Sequence, residues 1–156
     1  MFCYVNIVTL YCKVLYLYDK TFPMILLIFL AFLAGTPHQP QPTLHVTIKD
    51  IQPGKGNINV AVFGSKNDFL KRPVMAQTKK AGAAMLEFSF ALPPGEYAIA
   101  AYQDLNENQK LDAGIFHIPK EPYGFSNNYR PGMSAPKYEG CRIRVAGDAN
   151  CTIHLK

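Results

Sequence analysis

The chain predicts an all-β protein, a single antiparallel β-sandwich of about seven short strands spanning residues 44–156. Three observations carry this expectation. Apolar and polar residues alternate in short runs, Pro- and Gly-bearing turns separate those runs, and no window of a dozen residues holds a helical period beyond one turn near residues 67–70. Strands at short spacing with such turns are the mark of an antiparallel sandwich of the immunoglobulin-like kind.

The elements follow in order. Leu44-His-Val-Thr-Ile48 alternates, and Gln52-Pro-Gly-Lys-Gly56 turns the chain. Residues 57–63 alternate again with Ile58, Val60 and Val62 on one face; residues 85–90 do the same with Leu86, Phe88 and Phe90. Pro93-Pro-Gly95 is a turn in which proline fixes φ and glycine is free to take positive φ. Residues 96–102 read as a strand flanked by tyrosines, its small residues suited to a buried middle. Residues 141–145 and 151–155 read as a closing pair joined through 146–149, with Cys141, Ile143 and Val145 on one face and Cys151, Ile153 and Leu155 on another.

That last pair bears on a disulfide between Cys141 and Cys151. Pairing Val145 with Cys151 leaves Cys141 four positions along, roughly 13 Å away and beyond disulfide reach. A loop centred on Ala146 sets the cysteines opposite each other, and export to an oxidising compartment favours the bond. Both arrangements stay open.

Ahead of the sandwich, residues 22–34 form an uncharged run, FPMILLIFLAFLA, preceded by Lys20 and closed by Ala34 and Gly35. Its length suits the apolar region of an export signal better than a membrane span. Residues 1–36 are therefore set apart as a signal or anchor segment, with Met24 as an alternative start and an uncleaved anchor as an alternative fate. Residues 37–43 are a proline-rich linker. No cysteine follows the small residues, which argues against a lipoprotein anchor. The expected location is the periplasm or the outside of a Gram-negative bacterium, with membrane contact only through an uncleaved N-terminal segment.

From residue 36 onward, 14 Lys and Arg against 10 Asp and Glu give +4, scattered rather than gathered in a stripe. Without stacking aromatics or a recognisable motif beside them, such charges do not make a nucleic-acid interface. No catalytic set stands out either. The four histidines lack metal-ligand spacing, Ser126 is not in a G-x-S-x-G elbow, and glycine-rich phosphate loops are missing. Asn150-Cys-Thr152 matches a glycosylation sequon that matters only in a eukaryotic secretory route.

The long connection 103–136 is too long for an idle loop in a small domain. Within it, Asp104, Asn106 and Asn108 occupy positions 1, 3 and 5 of a calcium-loop pattern, the Lys110 carbonyl position 7 and Asp112 position 9. Gln109 stands where glycine is usual, and Ile115 where a bidentate glutamate is usual, so the site is either a modest calcium loop or an Asx-turn loop. Further on, Tyr123 and Phe125 are candidate walls of a shallow groove, with Asn127 and Asn128 as its polar groups. The competing reading has Phe125 and Ile118 plugging one end of the sandwich while the asparagines cap turns.

The segments LPPGEYAIAAYQDLNENQKLD and GIFHIPKEPYGFSNN resemble the bacterial family known as domain of unknown function 2141, over residues 44–156. The Tyr-Gly-Phe-Ser-Asn core at 123–127 is the specific part; the L-P-P-G-x-Y turn is shared by many prealbumin-like and carboxypeptidase-regulatory-like sandwiches. The resemblance implies an exported sandwich with no established activity. Members usually read Asp-x-Asn-x-Asn-Gly in the loop, so Gln109 is a departure. The functional expectation is a non-enzymatic exported module that binds a small ligand, a glycan or a protein partner, with calcium as its only candidate cofactor. The alternatives are a cation-assisted hydrolase using Asp112, Glu121 or His117, and a structural envelope protein.

Overall fold

The computed structural model describes residues 41–114, 119–132 and 134–156. Eight strands form two sheets: β1 Thr43–Lys49, β2 Asn57–Phe63, β3 Met75–Lys80, β4 Leu86–Ala91, β5 Gly95–Asp104, β6 Tyr123–Phe125, β7 Arg142–Val145 and β8 Ala149–His154. One sheet has the order β4-β1-β8, with β1 and β8 parallel. The other runs β3-β2-β5, and β5 pairs on its far side with β7 at its start and β6 at its end. The all-β sandwich read from the sequence is the fold of the domain. Residues 1–36, expected to be a signal or anchor segment, and most of the linker lie outside the described residues.

The alternation seen in the sequence is what builds the core. Leu44, Val46 and Ile48 of β1 are fully buried and lie opposite Phe90, Phe88 and Leu86 of β4. They face Ile58, Val60 and Val62 of β2 and Tyr97, Ile99 and Ala101 of β5 in the same apolar cluster. Removing this much apolar surface from water is the main stabilising term of the domain.

Two strands carry no period in the sequence. Every residue of β3 except Gln77 is exposed, because this edge strand has one ladder neighbour, β2, and no face in the core. Its side chains instead close that flank of the sandwich. Gln77 Nε2 donates to Ser89 O at 2.7 Å, and Lys79 donates to Glu87 O while its ammonium sits 4.8 Å from the Phe88 ring centre. At three residues, β6 is too short to show alternation.

The expected closing hairpin is corrected. β7 pairs with β5 and β8 with β1, so residues 146–148 carry the chain from one sheet to the other. Ile143 and Val145 from one sheet and Cys151, Ile153 and Leu155 from the other side reach the same core, and no cross-strand register between β7 and β8 is needed. Cys141 is not on β7 but ends a helical turn, Tyr138–Cys141, and joins a second cluster with Phe63, Phe69, Ala98 and Phe125; Cys151 belongs to the main core. Both thiols are free, and burial pushes each up to about 11. The turn expected near residues 67–70 is present, with Ser65 Oγ donating to Asp68 Oδ2 at 2.7 Å and the Lys71 and Arg72 amides both donating to Asp68 O at 2.9 Å.

Candidate functional site

Where β5 changes partner, its ladder has a gap. Tyr97 lies opposite Ile143 of β7 and Ala101 opposite Gly124 of β6, while Ile99, between them, has no strand on that side. Ser126 fills the gap: its Oγ accepts the Ile99 amide at 2.9 Å and donates to Cys141 O. The residues around it serve the same joint. A Cβ on Gly124 would stand 2.6 Å from Ile153 Cγ2 and 2.7 Å from His154 O, so only glycine lets β6 approach β8 this closely. Asn127 and Asn128 have φ of 59° and 47°, a region asparagine tolerates better than most residues. Asn127 Nδ2 donates to Gly140 O and Arg142 O at 3.2 and 3.0 Å. Asn128 Oδ1 accepts the His154 amide at 2.9 Å, and Arg130 caps His154 O on the same free edge of β8.

The four residues expected to form a ligand surface therefore divide. The amides of Asn127 and Asn128 are engaged by backbone, whereas Tyr123 and Phe125 line a groove of about 750 Å³ on the outer face of the five-stranded sheet. Its floor is made of alanines, since Ala61 of β2 lies opposite Ala100 of β5. Phe63, Tyr102, Tyr123 and Phe125 rise around that floor, and Leu70 and Leu111, 48% and 38% exposed, form its lips. Phe125 is buried and Tyr129 half-buried, so the aromatics make a trough rather than an open patch.

Leu70 is unusual. Its φ is +59°, a conformation that costs an L-residue with a Cβ roughly 1–2 kcal/mol. Asparagine or glycine would sit there with less strain, yet a half-exposed leucine holds the position and its side chain lines the groove.

The acidic loop closes on itself at one end of this face. Asp104 is fully buried, and its carboxylate accepts the Asn108 amide at 3.1 Å and the Gln109 amide at 2.7 Å. Asn106 Oδ1 accepts the Asn108 amide and Asn108 Oδ1 the Lys110 amide, while both side-chain NH2 groups donate to Asp112. Glu121, also buried, clamps the loop by accepting the Leu105 and Asp112 amides at 2.8 and 2.9 Å. Gln109, at the position where glycine is usual, takes φ of +63°. Among the described residues, no group of three His, Cys, Asp or Glu side chains is placed to share an ion. Burial, and then the Asp104 and Glu121 charges, raise the hydroxyl of nearby Tyr102 above its ordinary value. His117, named for the hydrolase reading, lies outside the described residues.

Two contributors have no signal in the sequence. Gln103, fully buried, donates to Gln52 O and Lys55 O and accepts the Gln52 amide, tying the 52–56 turn to β5. Ala100 reads as a core residue because its neighbours Ile99 and Ala101 are; only the pleat shows that it faces the groove.

Fold and site together define a small β-sandwich with an apolar trough on one sheet face and a carboxylate-clamped loop at its end. Residues 46–154 match the family described as an uncharacterized protein conserved in bacteria, domain of unknown function 2141, and the chain belongs to that family. No curated protein and no solved structure is significantly similar to it.

Proposed function

We propose that this protein is an exported, non-enzymatic binding module whose ligand is a small, predominantly apolar molecule held in the groove over Ala61 and Ala100. The observation that carries the reading is the groove itself: its volume lies in the range of small-molecule sites, and its walls are aromatic and aliphatic. A glycan would want a denser set of hydrogen-bonding side chains than Tyr102, Tyr123 and Ser134 supply. A peptide added as a strand would want a free sheet edge, and this is a sheet face. Hydrolysis by Asp112 or Glu121 would require carboxylates that are instead committed to the loop. Export rests on the uncharged run 22–34.

Calcium enters this reading only as a weak stabiliser of residues 104–112. At the ligand positions of the pattern the loop contributes two carboxylates, Asp104 and Asp112, while Glu107 pairs with Lys80; that charge count suits affinities of about 10⁻⁴–10⁻³ M.

The test uses N-phenyl-1-naphthylamine, a neutral fluorophore that brightens in apolar sites, with the full chain and with Ala100→Phe, which fills the floor. Binding to the parent that weakens by roughly tenfold or more in the variant, as the loss of about 1.4 kcal/mol requires, supports the reading. Fluorescence that does not respond to Ala100→Phe in a folded variant overturns it.

A further inference from the structure

We infer that the groove takes a free aliphatic carboxylate of a single chain, lying along β5 with its carboxylate at the Leu70 end. This rests on the proposed small-molecule function and names its ligand class. The groove has two chemically different ends. Register places Phe63 opposite Ala98 near the start of β5, and Tyr102 opposite Asn59 and Tyr123 near its end. Beyond Tyr102 lie the buried carboxylates of Asp104 and Glu121, and Asp112 follows the lip residue Leu111. At the other end, Leu70 is followed by Lys71 and Arg72, and the lining residue Pro136 by Lys137.

Among the described residues, four ion pairs join Lys66 to Glu139, Lys80 to Glu107, Arg142 to Glu96 and His154 to Asp50. At the Leu70 end Glu139 is thereby neutralised by Lys66 and Asp68 accepts the Ser65 hydroxyl, while Lys71, Arg72 and Lys137 stand in none of these pairs. Lys110 and Lys120, the cations at the far end, stand among Asp104, Asp112 and Glu121, so no comparable excess arises there. An anionic head is drawn to one end and repelled from the other. Between the ends, an alanine floor between largely aromatic walls offers a channel for methylene groups.

Leu70 supplies an independent sign. A strained, half-exposed leucine at the cationic end is explained if its side chain covers the first carbons of the chain beside the head.

The experiment displaces bound N-phenyl-1-naphthylamine from the full chain with decanoate or with decyltrimethylammonium. Decanoate should displace it at concentrations lower by roughly tenfold or more, and this ratio should collapse in Lys71→Glu/Arg72→Glu/Lys137→Glu while affinity for the neutral fluorophore is kept. Leu70→Gly should weaken decanoate by roughly fivefold while its Tm stays within about 2 °C of the parent, because relief of strain offsets the lost contacts. A merely structural Leu70 would move Tm and leave affinity alone. Equal displacement by the two amphiphiles, or a ratio that survives charge reversal, overturns the carboxylate assignment and leaves the groove reading standing. Fluorophore binding insensitive to Ala100→Phe overturns both.

Discussion

Replacing Ser126 by alanine tests the central joint of the fold. The Ser126 hydroxyl is fully buried, accepts the Ile99 amide at 2.9 Å and donates to Cys141 O. Neither group has another strand to turn to, since Ile99 sits at the gap between β7 and β6 and Cys141 ends its helical turn. Alanine therefore orphans one buried donor and one buried acceptor, and each costs about 1–3 kcal/mol. The expected loss is about 3 kcal/mol, a large share of the 5–15 kcal/mol typical of a domain. For a sandwich of this length that lowers Tm by roughly 9–15 °C. Thermal unfolding by circular dichroism measures it, and hydrogen exchange should show the Ile99 amide losing protection before its β5 neighbours. A fall of less than about 3 °C would refute the reasoning, because it would mean the ladder gap is filled without the hydroxyl.

Further outcomes follow from other contacts. Gly124→Ala forces a Cβ against Ile153 and the His154 carbonyl and should cost about 1–3 kcal/mol in urea unfolding; full stability would show that β6 and β8 have room to part. Calcium at about 10 mM should raise Tm by a few degrees through its preference for the native state, and Asp112→Asn should remove most of that rise while the fold persists. An unchanged Tm would assign residues 104–112 to turn chemistry alone. The buried thiols predict an alkaline weakness: with folded-state values near 11 against an ordinary 9, the folded protein keeps protons the unfolded chain releases. Their contribution is whole below pH 9 and is lost as pH rises through 11. Cys141→Ser/Cys151→Ser should decline less steeply over that window, and parallel curves would show that burial does not hold the thiols protonated.

Much of this molecule is legible in the sequence because alternation survives wherever one face of a strand meets the core. Leu44, Val46 and Ile48, and likewise Ile58, Val60 and Val62, announce their strands and their inward faces. The pattern fails where burial is not the organising force. β3 has no buried face, so nothing in Met-Ala-Gln-Thr-Lys-Lys distinguishes it from a loop. Cys141 fits the apolar period of β7 only because a helical turn and a strand can share a short stretch of spacing. Partner choice is also illegible: the inward faces of β7 and β8 are satisfied equally by a hairpin or by two sheets, and the parallel match of β8 to β1 decides between them. Within the segment 123–128 that the sequence singles out, nothing in the sequence separates Tyr123 and Phe125, which line the groove, from Asn127 and Asn128, which bind backbone.

That division changes what the family's signature means. In Tyr-Gly-Phe-Ser-Asn-Asn, the glycine, serine and asparagines are each fixed by backbone they must approach or satisfy. In this chain such a motif marks an architecture rather than a ligand. Chemistry specific to this chain is better sought where structure alone gives no reason for the residue. Alanine is a poor strand former, and two opposed alanines on the outer face of a sheet stabilise it little. Leucine at positive φ is costlier than the asparagine or glycine that would fit. Ala61, Ala100 and Leu70 all line the same groove. In the proposed complex, their cost to the fold is offset by the room and grip they provide for a bound chain. Restoring the fold's own preference at each of them should therefore keep stability and lose the ligand.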